Sequence, residues 1–400
     1  MTDQAERGDT VLTPSSRLFL PLMTATGVTM TLTAPLEVLF IRDLSSNSLY
    51  VGAFMLTSAL GVVAIDVFGT RFVPGLDAKA ALAAGLLLFG VACIGMGLAP
   101  DGLLLMSSRI LQGFGGGMMF GSGLQAAVRV HAPSVGPGDT TRLLSRFNAA
   151  FLFGGAVGSP GGLLLAGLLA GLAGFRVAFV ATGGLALLVA AALAAALPRL
   201  AAPPGTPRPR FSLPRFARTP ASGAALVLAM SGEFLRGGVL FTALPLAGAA
   251  RAYSTLTISL AIALMSGAEI AVLTVAYRIV RRAGVIPVLV TSFALGTLCA
   301  TLLAFPAGAA AYLAVSTLFG ISLAGATASL PALVVAQVGN STAGLAKFRI
   351  SAGVGILAGT FGCAVVGTQI GIPRLFVLIA ILLLGSVQLA CLVGRQMVTA

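Results

Sequence analysis

A chain of 400 residues that is 58% hydrophobic and 9% charged, with a mean hydropathy of +1.04, is not a soluble globular enzyme, whose charged fraction lies near ~25%. The net charge of +13 has the sign of a nucleic-acid binder, but its distribution along the chain follows membrane topology instead, and no nucleic-acid partner is expected. Cys93, Cys299, Cys363 and Cys391 all fall in apolar runs without metal-ligand spacing, so they read as packing residues and not as disulfides.

Residues 1–17 form a polar tail with no cleavable-signal pattern. Apolar runs then follow at 18–41, 50–70, 79–99, 103–128, 147–172, 175–197, 222–246, 255–277, 285–305, 308–337, 346–370 and 373–394. Runs of about 20 residues cross a bilayer as helices, so the expected fold is an all-α integral membrane protein of twelve transmembrane helices. With the N-terminus inside, the outer loops hold only Arg42, Arg176, Arg251 and Arg374; Arg109 and Arg236 lie within spans, and the remaining eighteen of 24 Lys and Arg fall on the inner side. That imbalance predicts cytoplasmic termini and a multi-pass protein of the cytoplasmic (inner) membrane, bathed in its lipids. The longest break, Pro198 to Pro220, is rich in Pro, Arg and Ala and has no apolar run. It reads as a cytoplasmic linker, 198–221, between an N-terminal six-helix bundle at 18–197 and a C-terminal one at 222–395. Two such halves predict a repeat transporter with its site between them at mid-membrane.

Span four opens Leu103-Leu-Leu-Met-Ser-Ser-Arg109-Ile-Leu-Gln112-Gly113 and continues with glycines at 115, 116, 117, 121 and 123. A guanidinium cannot shed its proton, and placing one in hydrocarbon costs roughly 2.5–3.5 kcal/mol on insertion scales, so Arg109 needs water or a carboxylate inside the bundle. The glycines let a neighbouring helix or a ligand approach the backbone. Arg109-Ile-Leu-Gln112-Gly113 matches the Arg, two residues, Gln-Gly motif of the major facilitator superfamily, and the chain resembles that family over its whole length. The motif is associated there with proton coupling. In span five, Gly154-Gly155-Ala-Val-Gly158-Ser-Pro160-Gly161-Gly162 is similar to the antiporter motif of the drug-exporting branch, with Ser159 between the usual Gly and Pro. Independently of that likeness, Gly154, Gly158, Gly161 and Gly162 permit close packing, and Pro160 removes one helix hydrogen bond, as a hinge or seal would require. Gly174-Phe175-Arg176 resembles the Gly-aromatic-Arg that opens span six in these exporters. The charged signature usual after span two is degraded: one register uses Asp66, Gly69 and Arg71, the other Arg71, Pro74 and Lys79, which leaves Asp66 inside the span. Thr33-Ala-Pro35-Leu-Glu37 with Val51-Gly52-Ala-Phe54 faintly resembles sugar-efflux members.

The ionisable side chains within spans are Glu37, Asp66, Arg109, Glu233, Arg236 and Glu269. Counted from Arg42 and Asp101, Glu37 and Arg109 lie about 7 and 12 Å deep from the same side, so they can meet. A guanidinium favours the ionised carboxyl and burial the neutral one, a balance suited to exchanging protons, and the proton-coupling set is expected to be Glu37, Arg109, Glu233, Asp66 and Glu269. Glu233 and Arg236 are spaced i, i+3 and share a helix face. Arg236, Gln112 and Thr33 are the candidate substrate contacts. Asp66 is five residues from Arg71, which also fits an ion pair at the inner surface, and Glu269 has no partner nearby in sequence. His131 stands alone, so no metal site is expected; no cofactor is implied, and no Gly-Lys-Ser phosphate loop appears. The dispersed carboxylates argue against a membrane enzyme. The expectation is a monomeric secondary transporter that exports a small amphipathic drug or metabolite against protons, with a sugar or polar-metabolite exporter of the same superfamily as the alternative.

Overall fold

A computed structural model of the chain describes residues 14–72, 77–131, 137–169, 171–201, 219–305, 308–338 and 342–399. Among these residues there are fourteen α-helices, one π-helical segment and no strand. The first half comprises α1 (Pro14–Leu32), α2 (Ala34–Leu44), α3 (Ser48–Phe72), α4 (Ala78–Leu98), α5 (Gly102–His131), α6 (Pro137–Gly167) and α7 (Gly171–Ala196). The second comprises α8 (Pro220–Phe234), the π segment Leu235–Ala243, α9 (Leu244–Ala250), α10 (Thr255–Ala283), α11 (Val285–Ala304), α12 (Ala309–Val338), α13 (Thr342–Ile370) and α14 (Ile372–Thr399). Helices α1 and α2 form one rod, as do α8, the π segment and α9, so the described residues make twelve rods, six to each half. Ten of them are long and apolar enough to cross a membrane. Of the other two, α3 has a shorter apolar stretch, Ser48–Val62, and α5 is the helix that holds Arg109.

Two rods are broken where the sequence pattern showed only apolar runs. Pro35 has no amide hydrogen for the preceding turn, so α1 stops at Leu32 and α2 starts anew at Ala34. Thr33 stands at the break, and its carbonyl accepts from Leu36 N (2.9 Å) and Glu37 N (3.1 Å). In the seventh rod, Pro245 follows a π segment in which Thr242 Oγ1 donates to the Gly237 carbonyl five residues back, at 3.0 Å. The fifth run also differs from its expected bounds. Its helix begins ten residues early, at Pro137, because hydropathy reads bilayer thickness and not helix length. It ends at Gly167, and α7 begins at Gly171, which adopts φ +63°.

Within the first half α4 packs on α5 and α7, α1 on α6, and α3 on α5; within the second, α10 and α11 pack on α12, α11 on α14, and α8 on α13. The halves meet where α3 packs on α13, α6 on α10, and α2 on α9 and the π segment. Gln369 Nε2 donates to Ser48 Oγ (3.1 Å), and Ser259 Oγ on α10 donates to the Pro160 carbonyl on α6 (2.9 Å). These contacts lie toward the end of the molecule that carries the turns at 45–47 and 251–254. At that end Arg176 Nη1 donates to the carbonyls of Gly97 (3.2 Å) and Ala99 (3.0 Å), closing α4. Arg251 Nη2 does the same for α11, through Leu303 (2.5 Å) and Phe305 (3.0 Å). Cations at helix C-termini complement the macrodipole, which gives Arg176 and Arg251 a structural task. At the opposite end Lys79 Nζ donates to Leu197 O (2.6 Å), and Arg129 Nη1 (2.8 Å) and Ala78 N (3.0 Å) donate to Leu200 O. These bonds tie the chain leaving α7 to α4 and α5. Most of the expected linker, together with most of the N-terminal tail, lies outside the described residues.

Candidate functional site: two acid–arginine clusters

The first cluster is built by α2, α3, α4 and α5. Spacing i, i+4 puts Thr33 and Glu37 on one face at the start of α2, and spacing i, i+3 puts Arg109 and Gln112 on one face of α5. Arg109 Nη1 forms an ion pair with Glu37 Oε1 and donates to Gln112 Oε1. Gln112 Nε2 donates to Glu37 Oε1, Thr33 Oγ1 (each 3.1 Å) and Cys93 Sγ (3.6 Å). Thr33 Oγ1 donates to Glu37 Oε1 at 3.0 Å. Arg109 Nε reaches the Phe54 carbonyl at 3.3 Å, and the guanidinium carbon lies 4.9 Å from the centre of the Phe54 ring. Every member is buried, with side-chain exposures of 8% for Glu37 and 4% for Arg109. Oε1 thus collects three donors while Oε2 has none among the described residues.

The glycines of α5 make this arrangement possible. A Cβ on Gly113 would run into the Ser58 carbonyl of α3, and one on Gly115 would meet α4 backbone at Phe89 N, 2.6 Å away. Bare backbone at these positions draws α3 and α4 against α5, which brings Phe54 and Cys93 to Arg109 and Gln112.

The second cluster joins α8, the π segment, α10 and α12. Arg236 Nη2 contacts Glu269 Oε1 at 2.5 Å, and Nη1 reaches Oε2 at 3.4 Å. Thr327 Oγ1 lies 3.1 Å from both Arg236 Nη2 and Glu269 Oε1. Glu233 Oε2 stands 3.7 Å from Arg236 Nε. The i, i+3 pair expected from sequence therefore forms, but the tighter partner of Arg236 is Glu269, which sequence left without one. Side-chain exposures here are 16% for Arg236, 27% for Glu233 and 6% for Glu269. Counted along the helices, Glu37 and Arg109 lie about 10 Å from the end where the halves meet, and Arg236 and Glu269 about 21 Å.

The remaining expected residues divide by location. Gly154, Gly158 and Gly162 form a ladder pressed on α1, where a Cβ would meet the carbonyls of Thr24, Val28 and Leu32 in turn. Gly161 has room, with Leu32 Cδ2 3.6 Å away, and Pro160 faces the other half through Ser259. Asp66 lies within α3, but its side chain is outside the described residues, as is that of His131. Thr33 and Gln112, expected at the substrate, turn their polar atoms to Glu37 and Arg109 in this conformation. Thr327 and Ser259 carried no signal in sequence, Cys93 reads there only as packing, and Phe54 enters only through a faint family likeness, since each is an ordinary core residue until its neighbours are known.

The sequence profile of the Major Facilitator Superfamily matches residues 18–360. The chain belongs to that superfamily of membrane transporters. Its fold is similar to that of the nucleoside transporter NupG (TM-score 0.70, 14% identity, covering 95% of this chain and 98% of that one). It is also similar to a bacterial homologue of the human lysosomal transporter Spinster, in an inward-facing and occupied conformation (TM-score 0.71, 12% identity, 94% and 95%). The human organic anion transporter MFSD10 aligns with a TM-score of 0.64 at 15% identity, over 94% and 98% of the two chains. No match was found among curated protein sequences. At these identities the solved structures speak for the major facilitator fold alone.

Proposed function

We propose that this superfamily member exports a small amphipathic molecule in exchange for protons by alternating access, as a monomer in the cytoplasmic membrane with both termini inside. The observation that carries the reading is the pair of arginine-held carboxylate clusters buried at two depths in an otherwise apolar bundle. Intramembrane charges of this kind mark ion and substrate paths. Glu37 is the proton carrier of the first half: Thr33, Gln112 and Arg109 hold Oε1, and the proton adds to and leaves Oε2 through water. Arg109 sets how readily that happens, because the ion pair must be given up when the acid turns neutral. In the second half Arg236 is shared by Glu233 and Glu269, and the half-covered Glu233 with Arg236 forms the part open to substrate. The proposed bundles are 18–197 and 222–395, rocking about the seam where Gly154 to Gly162 backs α1 and Pro160 meets Ser259. Contact of the halves at one end supports a state sealed on that side.

The test is transport into inverted vesicles with and without an imposed pH gradient, across a panel of cationic drugs, sugars and nucleosides. The gradient is expected to drive uptake of an amphipathic drug, and Glu37→Gln to abolish that drive. Gradient-independent uptake, or an undisturbed Glu37→Gln, defeats the proton assignment. Selective uptake of sugars or nucleosides favours the second reading, a polar-metabolite exporter, for which the hydroxyl of Thr327 beside Arg236 is the supporting observation.

A further inference from the structure

The proposed cycle leaves a difficulty at Arg109. Its guanidinium stays charged at every accessible pH, so each time Glu37 becomes neutral a permanent cation remains, 4% exposed, without its anion. Gln112 Oε1 is still there, but Gln112 is at the same moment committed to Glu37, Thr33 and Cys93 through its amide nitrogen. The titratable groups facing Glu37 are Arg109 from α5 and the thiol of Cys93 from α4, and neither supplies a replacement charge. The remaining neighbour is Phe54 on α3, fully buried, which offers two acceptors at once. Its carbonyl takes Arg109 Nε, and the face of its ring lies under the guanidinium at 4.9 Å.

We propose that Phe54 is a positioning residue for proton exchange: the standby partner that holds Arg109 in place while Glu37 is neutral. The face of an aromatic ring is negative, and its attraction for a cation grows when water is excluded. With Glu37 ionised, the carboxylate neutralises Arg109 and the ring adds little. With Glu37 protonated, ring and carbonyl are left with Gln112 Oε1 as its partners, so Phe54 stabilises the protonated state more than the ionised one. The geometry is fixed by backbone and not by chance contact. Gly113 and Gly61 let α3 and α5 touch, with the ideal Cβ of Gly61 2.8 Å from Gly113 C, and Phe54 stands nearly two turns before Gly61 on the same face.

This inference rests on the proton reading for its role but not for its measurement. Replacing Phe54 with tri- and pentafluorophenylalanine drains the negative face while keeping the ring's shape. Thermal unfolding of the detergent-solubilised protein is then measured in the natural background and in Glu37→Gln, which imitates the neutral acid. The expected result is a stepwise fall in Tm with fluorination that is at least twice as steep in Glu37→Gln. Equal slopes in the two backgrounds would overturn the proposal and leave Phe54 as packing only. In vesicles, fluorination is expected to move the pH of half-maximal transport toward acid. If Glu37→Gln transports normally, the proton reading fails, yet the two Tm slopes still decide whether Phe54 carries the cation. Phe54→Leu and Phe54→Tyr serve as the second pair where the fluorinated protein does not accumulate, with the same inequality expected between them.

Discussion

The two acid clusters use the same residue types and differ in balance. In the first half one carboxylate meets one guanidinium, both at 8% exposure or less, with an amide, a hydroxyl, a backbone carbonyl and a ring filling the remaining positions. In the second half two carboxylates share one guanidinium, and the looser acid, Glu233, is 27% exposed. The first is a closed set whose disturbance is felt as an unpaired buried charge. The second sets two carboxylates against one guanidinium, so removing the arginine leaves two acids and not one. The depth of each follows from its rod: the first lies just beyond a proline break, the second at the start of a π segment.

Removing each arginine measures this difference most directly. Arg109→Ala leaves Glu37 buried without its cation, and breaking a pair of that kind costs about 3–5 kcal/mol. Arg236→Ala leaves Glu269 and Glu233 without their shared cation, but Glu233 is 27% exposed, so the loss is expected to be smaller, roughly 2–3 kcal/mol. The check is denaturant or thermal unfolding in one detergent, with Glu37→Gln/Arg109→Ala as a control that restores part of the first loss. Equal costs at the two sites would erase the distinction drawn between a closed and an open cluster.

Much of this was legible in the chain, for reasons that differ by feature. The twelve rods follow from apolar runs and alternating cation content, since bilayer thickness imposes a length that composition reveals. Arg109 and Glu37 were paired by depth alone, because helix rise is constant and both are counted from the same face. The partner of Glu269 was not legible: Arg236 is 33 residues away on another rod, and only the packing of α10 beside the π segment joins them. The π segment itself has no signature, since it lies inside the apolar run at 222–246. Phe54 and Cys93 were hidden for the opposite reason, being apolar residues in apolar helices whose task depends on a polar neighbour.

A smaller effect separates the clusters by their supports. The ladder of α6 holds α1 just below the break at Thr33, so it positions the first cluster and not the second. Gly158→Ala pushes a methyl into the Val28 carbonyl, at a cost of about 1–3 kcal/mol, whereas Gly161→Ala finds room and is expected to stay within about 0.5 kcal/mol. Transport should follow stability in this pair, and Gly158→Ala should also alter the pH profile through Thr33 and Glu37. A profile unchanged in an active Gly158→Ala protein would mean that α1 does not set the geometry of the acid.

The smallest expected effect lies at the seam, where neither cluster is touched. Ser259→Ala deletes a single buried hydrogen bond to the Pro160 carbonyl, worth about 0.5–1.5 kcal/mol. That bond exists only while α6 and α10 are together, so its loss acts on the balance between conformations: roughly two- to tenfold in population. Labelling of Ser48→Cys by a membrane-impermeant maleimide, in a Cys391→Ser background because Cys391 is exposed, reads that balance. Ser48 bonds Gln369 across the same closed end, so its labelling should rise with Ser259→Ala. Both ion clusters stay intact in this variant, so the pH midpoint of transport should hold while the rate changes. A shifted midpoint with unchanged labelling would assign the seam to proton exchange instead of to gating.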